Sequence, residues 1–305
     1  MKKNTQELGG VLCALLGGAL WGFSGTCGQY LFQRGAVDAQ WLSAVRMLAA
    51  GLLMLVVGFV QQGRAYCDIW RNKKDAVRLV AFALLGLIGC QYFYMVAISH
   101  SNSGTATALQ YTGQAMILLY SCAVARRLPT KLEGLGVVLA IGGTFLLATH
   151  GDPTNLAITP AALGWGLMSA LGLALYTLLP GELTGRYGTM VLLGWGMVLS
   201  GVVLCALIRP WTLPTALDLP ALAAVLGGAV LLGTVGGYTL YLKGVAAIGG
   251  VRASMIACVE PVFAMVCSAV WLGTPFVVMD YLGMGMILAT VLLLARESNR
   301  RSKQG

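Results

Sequence analysis

The amino-acid sequence falls into ten apolar runs of about 20 residues each, and that pattern leaves few folds open. The runs cover residues 10–32, 40–61, 76–98, 103–125, 132–149, 160–181, 188–208, 220–242, 251–272 and 276–295. Helices of this length span the hydrocarbon of a bilayer, where each backbone N–H and C=O must be satisfied within its own segment. Barrel strands would be about 10 residues long and alternate in hydropathy, which these runs do not. Only 10% of the 305 residues are charged and 58% are hydrophobic. Soluble domains average about 25% charged, so the surface that solubility needs is missing. The sequence therefore predicts an all-α integral membrane protein with ten transmembrane helices. The longest loop is the basic segment 62–75, which leaves no room for a soluble domain.

The basic residues set an expected orientation. With a cytoplasmic N-terminus, the inner side collects Lys2, Lys3, Arg64, Arg71, Lys73, Lys74, Arg78, Arg126, Arg127, Lys131, Arg186, Lys243, Arg252, Arg296, Arg300, Arg301 and Lys303. The outer side holds Arg34 and Arg209, and Arg46 lies inside the second run. Both termini are thus expected in the cytoplasm of a cell whose inner membrane the chain crosses. The net charge of +9 reads as topology and contact with anionic lipid at the cytoplasmic face, with no need of nucleic acid. The first run lacks an A-x-A site and exceeds the length of a signal peptide, so it reads as a retained span. The eight cysteines form no C-x-x-C pair or Cys/His cluster, and all but Cys67 lie in apolar runs. Neither a metal nor another cofactor is expected.

The chain also repeats itself. At an offset of 147, Leu84-Leu85-Gly86 falls on Leu231-Leu232-Gly233, Gly89 on Gly236, Tyr94 on Tyr241 and Leu135-Gly136 on Leu282-Gly283. The glycines and tyrosines carry the match, because apolar coincidences come easily. Two units follow, residues 1–150 and 151–305, each of five helices. Five is odd, so the second unit enters the membrane inverted, the arrangement that lets a midplane site open to either side in turn.

Leu15–Gly25, Ala108–Ala115 and Ala253–Phe263, together with Tyr241–Val245 and Leu282–Met286, resemble the drug/metabolite transporter superfamily and its EamA-domain members over nearly the whole chain. The resemblance implies export of amino acids, related metabolites or drugs from bacterial cells, with the ligand cavity between the halves. The family often has proline where this chain has Gln114, the position that pairs with Pro261 at the 147 offset. The acidic residue common before the fifth and tenth spans is replaced by Arg126–Pro129 and Gly273–Pro275. The two halves are therefore expected to bend differently.

Within the runs, Glu260 is the leading candidate for a small-molecule substrate site. A carboxylate in hydrocarbon is costly unless it faces a cavity or a partner. Glu260 would bind an amino group or take up the proton that couples transport; the alternative is a structural carboxyl serving backbone freed by the neighbouring hinge residue Pro261. Arg46 would pair with a substrate carboxylate or with Glu260, or else snorkel outward. Gln110 and Gln114 share a helix face and need polar partners, from the cavity or from a neighbouring helix. Gln91 and Tyr238 are expected at the cavity wall. Trp21 and Ser24 in the first run, and Trp165 and Ser169 in the sixth, face the cavity or simply pack. His100 and His150 fall in outer loops with no expected chemistry. An intramembrane enzyme would want paired acidic residues, a nucleophile dyad or a metal motif, none of which appears deep in the runs. A passive channel or sensor remains the main alternative to a transporter.

Overall fold

The computed structural model describes residues 2–152, 154 and 156–302, apart from the side chains of residues 2–6, 251 and 298–302. Lys303 lies outside the described residues, and the side chains of Lys2, Lys3, Arg300 and Arg301 are not described either. All regular elements among the described residues are helical. The main ones are α1 (Lys2–Gln33), α2 (Ala39–Gln62), α3 (Lys73–His100), α4 (Ser103–Tyr111), α5 (Gly113–Val124), α6 (Lys131–Thr149), α7 (Pro160–Leu178), α8 (Thr189–Ile208), α9 (Leu219–Ile248), α10 (Gly250–Ala257), α11 (Glu260–Leu272) and α12 (Val278–Ser302), with short helical turns at Gly63–Arg71, Glu182–Tyr187 and Pro210–Thr212 between them.

Among the described residues, nine helical stretches are long and apolar enough to cross a membrane, where the sequence predicts ten. The run at 103–125 is the exception. It is helical but broken at Thr112 into α4 and α5. Gln110, Tyr111, Thr112 and Gln114 cluster at the break and dilute its apolar character.

The ninth apolar run also breaks, at Cys258 and Val259 between α10 and α11. Pro261 stands in the first turn of α11. A missing N–H is harmless there, because the first turn has no intrahelical acceptors for its donors. Proline is not required for such a break. Thr112 has none beside it, yet its hydroxyl turns back onto the Leu109 carbonyl at 2.6 Å and the helix restarts. The halves thus break at corresponding positions, 112 and 259, with a proline beside the second break only.

The helix ends follow local chemistry. Thr130 and Glu133 form a reciprocal capping box at the start of α6, and Thr159 caps α7 ahead of Pro160. Asn102 accepts from the Thr105 N–H to open α4. α3 and α9 each contain a wider π-helical stretch, Phe82–Leu87 and Ala223–Gly236.

Packing is pairwise. α1 lies along α9 and α11, α7 along α3, α4 and α5, α2 along α8, and α6 along α12. With lipid tails as apolar as leucine, close backbone approach drives such contacts. At the α6–α12 crossing a Cβ added to Gly143 would come 2.6 Å from the Gly283 carbonyl oxygen. At the α3–α7 crossing one on Gly172 would come 2.1 Å from the Gly89 carbonyl carbon.

Candidate functional site

The pairing of helices leaves a cavity of about 820 Å³ to which each of α1–α12 contributes lining residues. Glu260, Arg46, Gln91, Gln110, Gln114, Tyr238, Trp21 and Ser24 all line it. Residues 214 positions apart in sequence, Arg46 and Glu260, therefore share one chamber.

The break before α11 places Glu260 at the first position of that helix. Its carboxylate sits at the positive end of the helix dipole, where anions are favoured. Tyr111, the last residue of α4, donates its hydroxyl to Glu260 Oε2 at 2.9 Å. The two broken helices thus meet through their interrupted turns. Gly22 of α1 lies against the same turn, where a Cβ would come 2.5 Å from the Glu260 carbonyl oxygen.

Arg46 does not snorkel. It is 4% exposed, and Nη2 donates to Gln91 Oε1 at 2.5 Å. A guanidinium has only donors, so Gln91 must turn its oxygen to Arg46 and its nitrogen away. That nitrogen donates to the Tyr238 hydroxyl at 3.1 Å, and Tyr238 in turn lies within hydrogen-bond reach of Tyr176. Trp21 packs edge-on against Tyr238, with ring centroids 5.1 Å apart. Arg46 and Glu260 do not pair with each other: neither makes an ion pair among the described residues.

Gln110 anchors to the neighbouring helix while lining the cavity, its amide donating to the Cys90 carbonyl at 2.7 Å. Trp165 and Ser169 are not brought to the cavity. Trp165 packs on Phe93 with centroids 5.3 Å apart, and the Ser169 hydroxyl donates to the Gly166 carbonyl at 2.8 Å. Being in the helix paired with α3, they fill the seam between helices instead. The wall that α7 does supply comes from Leu173, Tyr176 and Thr177, one to two turns further on.

One end of the chamber is shut by a polar knot that the sequence reading missed. Gln29 Oε1 accepts from the Ser103 N–H at 2.8 Å and from the Ser268 hydroxyl at 2.7 Å, while its amide donates to Thr274 Oγ1 at 2.8 Å. The Thr26 and Ser103 hydroxyls lie 3.1 Å apart. All but Thr274 are fully buried, and they tie α1, α4 and α11 together. Serine and threonine in apolar runs are common enough that only the single glutamine, Gln29, was a usable signal. Beside this end, His150 Nε2 hydrogen-bonds Asp280 at 2.9 Å, so it bridges α6 to α12 where the sequence suggested no chemistry.

The other end is open, where α5 finishes, α6 and α8 begin and α12 nears its C-terminus; Arg127, Glu133, Pro180, Thr184, Thr189 and Leu294 form the rim. Arg127 grips Glu133 there with two bonds of 2.7 and 3.0 Å, and that hydrogen bonding raises the Arg127 pKa further above its ordinary value. Nearby, Asp75 is buried and accepts from Tyr187 at 2.9 Å and Arg186 at 3.2 Å, joining the start of α3 to the segment before α8.

A model of the EamA-like transporter family matches residues 8–149 and 160–296. The uncharacterized inner membrane transporter YicL of Salmonella typhimurium is 35% identical over 294 residues, covering 96% of this chain and 97% of that one. The uncharacterized transporter YwfM of Bacillus subtilis is 23% identical over 300 residues, 97% and 95% of the two chains. A solved crystal structure, 17% identical over 96% of this chain and 98% of that one, superposes with a TM-score of 0.60 and shares the fold.

Proposed function

The chain belongs to the EamA-like transporter family and is a multi-pass membrane transporter; from that premise we propose that it is a secondary transporter exporting amino acids, related metabolites or drugs across the inner membrane by alternating access. In this reading α4 and α5 together form a tenth span, and residues 1–150 and 151–305 are two five-helix units of inverted orientation with both termini cytoplasmic. Three features support the repeat. The breaks at Thr112 and Val259 are 147 residues apart, the same offset that aligns Tyr94 with Tyr241. The π-helical stretches of α3 and α9 overlap at that offset. Each helix pairing is matched by its counterpart or pairs with its own equivalent, as a two-fold axis in the membrane plane requires.

The observation that carries the transport reading is a chamber lined by both halves, sealed at one end by Gln29, Ser103, Ser268 and Thr274 and open at the other. With the positive-inside orientation the open end faces the cytoplasm, the loading state of an exporter. Glu260 is the coupling group, exchanging a proton on the side to which the chamber is open, and Tyr111 holds its carboxyl in place. Trp21, Ser24, Gln91, Gln110, Gln114 and Tyr238 shape the substrate site around it, with Pro261 beside the hinge.

Flux assays in proteoliposomes with an imposed pH gradient test this directly. Accumulation of at least one member of an amino-acid, polyamine and drug panel is expected. Absence of gradient-driven flux for the whole panel would remove the proposal.

A further inference from the structure

We propose that the Arg46 guanidinium is the seat of an anionic group, in the simplest case a carboxylate, which transported substrates must carry; the substrate class is then organic acids and zwitterions, and lipophilic cations are excluded. This rests on the transporter reading and narrows it.

Arginine keeps its charge in any protein environment. At 4% exposure and with no ion pair among the described residues, the Arg46 charge is uncompensated by them. Among the described residues Nη2 bonds the neutral amide of Gln91, and Nε has no partner. Buried charges elsewhere in this molecule are treated differently: Asp75 takes Arg186 and Glu133 takes Arg127, while Asp280 hydrogen-bonds His150. Of the buried charged groups that line the chamber, Arg46 and Glu260 have no ion pair among the described residues, and of the two only the arginine cannot shed its charge. A lone buried cation is destabilising, so its presence at a chamber wall marks an interaction completed by something that enters.

Neither acidic group of the chamber is that partner: Glu133 is held by Arg127 at the rim. Glu260 makes no ion pair among the described residues, and one of its carboxyl oxygens accepts from Tyr111. The hydrogen-bond chain from Arg46 through Gln91 to Tyr238 also runs one way. Every group in it donates away from the guanidinium, because Gln91 is forced to offer its nitrogen to Tyr238. The donors left over beside Gln91 are those of the guanidinium itself, Nε among them, which suits an anion and repels a cation. Ser24, fully buried one turn from Trp21, adds an unpartnered hydroxyl to the same wall.

The test is thermal-shift and calorimetric binding to the full-length protein in nanodiscs. The probes are small carboxylates, zwitterionic amino acids, the amines that lack only the carboxyl group of those amino acids, and a lipophilic cation. Members bearing a carboxylate should stabilise the protein and the amines should not. Arg46→Gln should weaken carboxylate binding about tenfold or more, with partial rescue by Arg46→Lys. The ligand-free Arg46→Gln protein should melt no lower than the parent, since an unpaired charge has been removed; a purely structural arginine would give the opposite. The inference is overturned if the amines or the cation bind as well as the carboxylates, if no carboxylate binds, if Arg46→Gln leaves carboxylate binding intact, or if ligand-free Arg46→Gln is strongly destabilised. In proteoliposomes, flux of a lipophilic cation without flux of any carboxylate would leave the transporter reading standing and overturn this inference alone. Carboxylate binding with no flux of any kind would do the reverse.

Discussion

Tyr111 and Glu260, 149 positions apart in the chain, are joined by a 2.9 Å hydrogen bond between the interrupted turns of two broken helices. Each stands where its helix stops or restarts, Tyr111 at the end of α4 and Glu260 at the start of α11. The bond ties the two breaks together at the chamber wall, and among the described residues Tyr111 is the one side-chain hydrogen-bond partner of the buried carboxyl.

Replacing Tyr111 with phenylalanine removes that donor and leaves a buried carboxyl oxygen unsatisfied. A loss of about 1–3 kcal/mol in stability is expected. Thermal unfolding in detergent, monitored by circular dichroism, measures it, and an unchanged melting temperature would mean the bond contributes nothing.

Glu260→Gln keeps the shape and a hydrogen-bonding side chain but abolishes proton exchange. Flux driven by a pH gradient should disappear, while exchange of substrate against substrate, which needs no net proton movement, should persist. Both rates can be read in the same vesicles; equal loss of the two would assign Glu260 to binding instead of coupling.

The polar knot predicts a lock. The Thr26 and Ser103 hydroxyls are 3.1 Å apart, so cysteines at both positions should form a disulfide that fixes the closed end. Oxidant should stop flux and reductant should restore it. Full activity in the cross-linked protein would mean that this end does not open during the cycle.

Gly283→Leu should disrupt the α6–α12 seam, because even a Cβ there meets the Gly143 carbonyl oxygen at 2.8 Å. Overpacking of that kind costs about 3 kcal/mol, seen as a lower melting temperature and reduced yield of folded protein.

Ser169→Ala is expected to be silent in transport, since the Ser169 hydroxyl bonds its own helix at Gly166 and does not reach the chamber. Flux measured under the conditions that expose Glu260→Gln is the comparison.

Much of this organisation is legible in the residue order. Glu260, Arg46, Gln91 and Tyr238 stand out as polar groups in apolar runs, and the hydrocarbon penalty alone draws them toward a cavity. Trp165 and Ser169 carry the same kind of signal and yet pack in a seam, because periodicity gives a face of a helix and not what lies opposite it. Gln29 is equally conspicuous in α1, but its meaning depends on Ser103, Ser268 and Thr274 converging from two other segments. The break at Thr112 has no proline to announce it and depends on a hydroxyl turning back on its own helix.

By itself, then, the sequence determined that the chain is helical and spans a membrane. A bilayer accepts few backbone forms, and runs of about 20 apolar residues satisfy only one of them. It also fixed which few polar residues must find partners. Tertiary structure alone decided the partners: Tyr111 for Glu260, Gln91 for Arg46, and the separation of the two charges within one chamber. Those choices follow from how close the glycine-lined helices approach and at what rotation they meet. Side-chain contacts between segments more than 100 residues apart obey that geometry, and no local pattern encodes it.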